Sequence, residues 1–444
     1  MKKIKIAILV LGSLLIGKAN LYAADIEKVE GAASASPGVL PPEEPHDTAA
    51  EIDAIRNEIA ILKYQYDRSI SRTIANSNRS LLIGGTLQNR YSSTTYTSGS
   101  ATPDADGFVF NSAILSLKGN LQKDYEEGKN VDYVIGLQAA ATAYNFQPTD
   151  AYLQYSIFPS LDNQKPLLYV QFGQQKKPFG LEATTTEDKQ PAINSAIFAG
   201  SKGLNLSQRD IGILVRGDLA PAVDIGYSYR IPLIEYSIGL FNGSGPNTLD
   251  TNRSKDVVAR VVLNAPVEYD SDFRGLSFGS SYANGNQDLT LKNATVLPGQ
   301  GSRIRYGQDI SYVSSPIGFT AEYAIGQDEQ ALSGTNQATL IKNSIRSKGY
   351  TLTLFYEWGE QFLKNFRSQD RLDDWWPKTY QPFVRLDRWD PNTSVANNET
   401  QVLTFGFNVF FAQTTKLQLN YSLTENKLTK INQNDFNVQF QYGF

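Results

Sequence analysis

The chain has 444 residues, with 45 acidic against 41 basic side chains, no cysteine and a single histidine. That balance excludes a disulfide scaffold, thiolate metal sites and a protein held to nucleic acid by a basic surface. The histidine is His46, so everything after residue 80 lacks an imidazole for a Ser-His dyad or a zinc site.

Residues 1–23 read as a secretory signal peptide, with a basic start at Lys2, Lys3 and Lys5, an apolar run from about Ile6 to Ile16, and small residues at Ala23 and Ala24. The run is shorter than the roughly 20 residues that a membrane-spanning helix needs. Removing the segment also takes away Lys18 and leaves 37 basic against 45 acidic residues, a net charge of −8. Residues 24–47 are rich in Pro and Ala, "SPGVLPPEEPHDT" among them, and read as a solvated linker containing His46. In 48–78, Ile52, Ile55, Ile59, Leu62 and Tyr66 recur at spacings of 3, 4, 3 and 4. That is a heptad seam and predicts a coiled-coil helix in the periplasm. Ile at both core positions favours three or four strands over two. The other reading is an amphipathic helix packed on its own domain.

From residue 80 to 444 the period changes to two. "KLQLNYSL" sets Leu417, Leu419, Tyr421 and Leu423 on one face and Lys416, Gln418, Asn420 and Ser422 on the other. "YTLTLFYEW" and "LTFGFNVFF" repeat the pattern, and the terminal "NDFNVQFQYGF" carries it to Phe444. Charges sit on the polar face of strand after strand, and aromatics favour the ends of the apolar face. This is the lipid-out, water-in pattern of an all-β, antiparallel transmembrane barrel with aromatic girdles. In a bilayer such a sheet must close, because an open edge would leave backbone groups unpaired.

Sixteen strands are expected, near 80–92, 107–119, 130–141, 149–158, 167–175, 209–219, 232–241, 256–264, 274–284, 303–313, 316–326, 347–358, 378–388, 401–411, 414–424 and 434–444. "VDIGYSYR" (223–230) and the long connector 359–377 keep an eighteen-stranded barrel open. Either number leaves an aqueous channel. The longest loop, 176–208, either folds into the lumen or lies on the surface. Parity points Arg90, Lys118, Arg216, Arg260, Arg303, Arg305 and Arg385 into the lumen, with Asp132, Asp150, Glu322, Glu357 and Asp387. A guanidinium facing lipid at the midplane would cost about 2–4 kcal/mol.

Ordered stretches of this chain resemble the phosphate-selective porin O and P family. They are "YVQFGQQKKPFGLE" (169–182), "RDIGILVRGDL" (209–219), "YSIGLFNGSGPNTLDTNRSKDVVARV" (236–261), "FVRLDRW" (383–389) and "FGFNVFFAQTTKLQLNYS" (405–422). The resemblance covers most of 80–444. It implies a sixteen-stranded trimeric outer-membrane porin whose third loop narrows the pore and whose basic residues attract anions. By position it assigns Lys176 and Lys177 to the constriction, and Arg209, Arg216, Arg260 and Arg385 to the lumen wall or its rim. The same loop carries Glu182, Glu187 and Asp188 against Lys189 and Lys202. Where the family has an arginine-rich strand, this chain reads "FNSAILSLKG" (110–119), with Asn111, Ser112 and Ile114 in place of arginines.

The expectation is therefore a water-filled outer-membrane channel for small ions and hydrophilic solutes. Its anion preference, phosphate included, would be weak to moderate. Its partners would be outer-membrane lipid and further copies of itself, with no nucleic acid, metal or cofactor. A structural anchor tethering the envelope through the N-terminal helix is the main rival. An outer-membrane enzyme is a distant third, because no nucleophile with a paired base stands out.

Overall fold

The computed structural model describes residues 73–443, apart from 77–78, 98–101, 123, 125–126, 141–145, 159–165, 207, 225–228, 251, 290–298, 315, 335–337, 360–376 and 412–414. The expected signal peptide, the linker and the heptad positions Ile52, Ile55, Ile59, Leu62 and Tyr66 lie outside the described residues, as does Phe444. Residues 73–76, assigned by the sequence to the end of the helix, are extended.

Sixteen antiparallel strands form one closed sheet. In chain order they are β1 (Arg79–Tyr96), β2 (Ala105–Gln122), β3 (Val131–Ala140), β4 (Phe146–Phe158), β5 (Leu168–Lys176) and β6 (Arg209–Asp224). There follow β7 (Tyr229–Phe241), β8 (Asp256–Asn264), β9 (Leu276–Leu289), β10 (Gly299–Tyr312) and β11 (Ile317–Ser333). The last five are β12 (Ile341–Tyr356), β13 (Thr379–Asp390), β14 (Thr400–Phe410), β15 (Lys416–Asn426) and β16 (Ile431–Gly443). Trp358–Gly359 prolongs the β12 edge against β13. The seam is β16 on β1, from Gly443 opposite Thr86 to Gln433 opposite Tyr96. Beyond Thr86, which pairs with the last described residue of β16, the four residues Thr73–Asn76 pair with Arg79–Leu82. The other edge of that stretch is held by β2, with Leu81 opposite Gly119.

The count settles at sixteen because 223–224 pair with 229–230 as the last rungs between β6 and β7. Ala220 adopts φ 49° and precedes Pro221, and the pairing passes from Leu219–Ile234 to Pro221–Pro232. That gap in the pairing, at a positive-φ residue before a proline, makes one long strand look like two. Most strands also run past their expected ends. β11 reaches Ser333 and β12 starts at Ile341.

Burial follows the alternation. Phe405 is 49% exposed on the outer face and Thr404 beside it 2% on the inner one. Outside, aromatics gather near the short-turn end of β12–β14: Trp358 stacks on Tyr380 at 5.5 Å, and Phe407 lies 6.3 Å from Tyr380. Among the described residues the inner face departs from polarity in two places: Phe355 and Phe383 point inward onto Ala192 of the loop, and a larger patch lies elsewhere on the wall. Leu214, Phe241, Val258, Ala324 and Trp389 point inward and form one apolar cluster with Phe179, Phe198, Leu204 and Leu206 from residues 177–208. The loop between β5 and β6 therefore folds into the lumen. Gly349 makes room for it, since a Cβ there would stand 2.3 Å from that of Phe198.

Candidate functional site

The loop is fastened to the wall chiefly through its main chain. Lys416 Nζ donates to the Gln190 carbonyl at 2.8 Å. Asn408 and Gln418 both donate to the Pro191 carbonyl, at 2.9 and 3.0 Å, and Gln441 donates to that of Asp188 at 3.3 Å. Asn194 bridges two strands. Its carbonyl accepts from Arg385 at 2.7 Å and its side-chain oxygen from Arg90 at 3.0 Å. On the β9–β11 side, Gly180 N donates to Ser281 Oγ, and the Leu181 and Glu182 N–H groups donate to Glu322 Oε2 at 2.9 and 2.6 Å. Main-chain donors and acceptors taken out of bulk water need such partners, and inward polar side chains supply them.

Two open spaces beside the loop lie along β1–β9. One chamber of about 520 Å³ is bordered by Tyr152, Tyr169, Gln171, Arg216, Glu235 and Asn264. A second of about 480 Å³ is bordered by Thr86, Gln88, Ser116, Lys118, Gln138 and Asp188. Asp150, Tyr152, Lys176, Thr186 and Arg209 border both, so the two chambers adjoin. At their junction Arg209 grips Asp150 with two bonds of 2.9 and 3.0 Å, and Lys176 Nζ donates to the Ala183 carbonyl at 3.2 Å. Bidentate guanidinium–carboxylate pairs hold their geometry well, so this part of the rim is stiff.

The basic residues expected in the lumen divide into two sets. Lys118, Lys176, Lys189, Arg209 and Arg216 border the chambers, and Arg260 reaches the edge of the first. Among the described residues Lys118, Lys176, Lys189 and Arg216 make no ion pair, and the acids Glu187, Asp188 and Glu235 stand against them on the same surfaces. The other set is tied up. Arg260 holds Asp309 with bonds of 2.5 and 2.9 Å, and Arg305 pairs with Asp328. Arg303 bonds Asp256 at 2.6 Å, with Lys177 Nζ 3.9 Å from the same carboxylate. Arg385 bonds Asp387 at 2.9 Å and lies 3.7 Å from Glu182.

Lys177 thus enters a small cavity between Leu204, Leu206 and β8–β10 and borders neither chamber. Glu182 is turned into the loop, where its carboxylate accepts the Ala196 N–H at 2.7 Å. Lys202 is exposed away from both chambers. Sequence reasoning did not single out Tyr152, Asn194, Thr186 or Lys416. Parity does place Lys416 inside, but only the folded loop shows what it meets.

The family model of the phosphate-selective porin O and P matches residues 83–444. No curated protein sequence matches the chain. Among solved structures, the anion-selective porin from Comamonas acidovorans is 12% identical and aligns over 82% of this chain and 100% of its own, with TM-score 0.54. In-vitro folded OmpT from Vibrio cholerae, in its trimer form, is 8% identical over 83% of this chain and 100% of its own, with TM-score 0.51. OmpF from Salmonella typhi, in complex with daunomycin, gives 12% identity, the same two coverages and TM-score 0.50. At these identities the neighbours speak for the fold. The family match spans nearly the whole barrel, and the chain belongs to the phosphate-selective porin O and P family of outer-membrane porins.

Proposed function

We propose that this porin lets small hydrophilic ions and solutes diffuse across the outer membrane, with a weak to moderate preference for anions and no dedicated phosphate site. The observation that supports it is the charge left free beside the chambers: Lys118, Lys176, Lys189 and Arg216 against Glu187, Asp188 and Glu235. Charges in a narrow passage with low-dielectric walls act more strongly than on an open surface, so a small excess of one sign biases permeation. A dedicated phosphate site would need several free guanidinium or ammonium groups converging on one point. Here Arg260, Arg303, Arg305 and Arg385 are each paired with a carboxylate.

The chain's one histidine, His46, precedes the barrel strands in the sequence, so the strands offer a base-assisted hydrolase no imidazole. Conductance separates the channel from a purely structural anchor. Purified protein in a planar bilayer should give ohmic steps, and a KCl gradient should give a reversal potential on the anion side. The absence of steps from correctly inserted barrels would overturn the reading. The assembly we propose is a homotrimer, joined beneath the membrane by the seam Ile52, Ile55, Ile59, Leu62 and Tyr66. Mass measurement in mild detergent that finds only monomer would reject it.

A further inference from the structure

The geometry points to Glu182 and Glu322, neither of which borders the chambers, as positioning residues that set the width of the channel. The inference rests on the reading of the barrel as a conducting porin.

Three successive main-chain N–H groups converge on the wall. Gly180 donates to Ser281 Oγ at 3.0 Å, and Leu181 and Glu182 donate to the same oxygen of Glu322 at 2.9 and 2.6 Å. Consecutive N–H groups aimed at one place form an anion-binding concavity, and here a wall carboxylate fills it. Gly180 is needed twice over. Its φ is 68°, and a Cβ would stand 2.1 Å from Glu322 Oε1. The seat itself spans β8 to β11. Ser281 Oγ also accepts from Arg260 Nη1 at 2.9 Å, and Arg260 is locked on Asp309.

Glu182 carries this anchor into the rest of the loop. Its carbonyl accepts from Gln190 Nε2 at 2.9 Å, its carboxylate accepts the Ala196 N–H at 2.7 Å, and Arg385 lies 3.7 Å away. One residue thus joins the turn at 180–182 to Gln190, to Ala196 and to β13. Leu181 and Thr184, its neighbours in sequence, border the larger chamber. An apolar contact would hold the loop down without fixing its register. Convergent hydrogen bonds to carboxyl oxygens fix it to within a few tenths of an ångström. Displacing Glu182 therefore moves the chamber's edge.

The test compares wild type with Glu322→Gln, Glu322→Asp and Glu182→Gln, each shown by heat-modifiable mobility to be a folded barrel. Single-channel conductance, current noise and reversal potential are read in planar bilayers with KCl alone. Glu322→Gln keeps the volume but puts an amide in place of the carboxyl that takes both N–H groups on one oxygen, and leaving a buried N–H of this seat unpaired shifts the docked-to-released ratio of the loop roughly tenfold to a hundredfold. The expected result is higher mean conductance and more noise in Glu322→Gln and Glu182→Gln, with Glu322→Asp closer to wild type. Conductance and noise unchanged or lower in both glutamine variants would overturn the inference while leaving the porin reading intact. A wild-type barrel that does not conduct would overturn both.

Discussion

Lys118 and Lys416 occupy equivalent places, each on the inward face of a strand, yet their surroundings are opposite. Lys118, on β2, is exposed to a chamber and makes no ion pair among the described residues. Lys416, on β15, is 0% exposed, with its ammonium on the Gln190 carbonyl and 5.7 Å from the Phe410 ring. The difference extends to the two arcs of wall around them. On β14–β16 the inward Asn408, Gln418 and Gln441 are buried and bonded to the loop. On β1–β4 the inward Thr86, Ser116 and Gln138 border open space. One alternating pattern thus serves two ends. On one arc polar side chains meet water, and on the other they satisfy the main chain of an inserted segment.

The hardest way to break this contrast is to undo the packing of the loop. Phe198 is fully buried, so Phe198→Ala should weaken docking by about 3–5 kcal/mol. Trypsin should then cut after Lys189 or Lys202 far faster than in wild type while the barrel stays heat-modifiable; an equally protected loop would show that the wall bonds alone suffice. A slightly smaller effect is expected on the opposite face. Phe405→Arg puts a guanidinium in lipid and should lower folding stability by about 2–4 kcal/mol if the site is at the midplane. Thr404→Ser, one residue away on the inner face, should change stability little, and refolding titrations into lipid vesicles measure both.

Third comes the charge beside the chambers. Lys176→Glu with Lys189→Glu should move the reversal potential toward cations at low salt, and less so as ionic strength rises. Lys202→Glu should leave it unchanged, because Lys202 borders neither chamber. Equal shifts from the two would abolish the distinction between lining and remote lysines. The smallest effect concerns Glu399, in the connection between β13 and β14. Hydrogen bonds from Arg388 and then Lys427 hold its carboxyl below the ordinary value of 4.5. A depressed folded-state value means that the stabilisation is present above the unfolded value and lost as the pH falls through the folded one. Glu399→Gln should therefore reduce stability slightly at neutral pH and flatten its decline in acid. Arg388 and Lys427 are each about one-third exposed to solvent, which keeps the effect small; identical acid profiles would show that the pair contributes nothing.

The strands were legible because lipid and water impose a period of two wherever the chain crosses between them. Their ends were not. β11 continues to Ser333 through Gln327, Asp328, Glu329 and Gln330, which are polar on both faces and carry no such signal. Inward direction was legible for the same reason, and it placed Arg260 and Arg305 inside. Whether a charge was free was not, because that depends on register between strands. Arg260 on β8 finds Asp309 on β10, 49 positions away, across a strand that contributes only Ser281. For Lys177, strand parity lapses at the first residue of the loop, and the chain turns the ammonium toward Asp256.

The pairing of Thr73–Asn76 with Arg79–Leu82 has a consequence for crowded membranes. The described part of β16 pairs as far as Gly443, opposite Thr86, and Thr73–Asn76 take up the backbone N–H and C=O groups of Arg79–Leu82 beyond it. An uncovered strand edge is a template for any other extended chain, and during biogenesis unfinished barrels offer many such chains. By folding back on itself the chain occupies that template with its own backbone. The pairing thereby leaves less of that edge for an extended segment of a neighbouring chain to join.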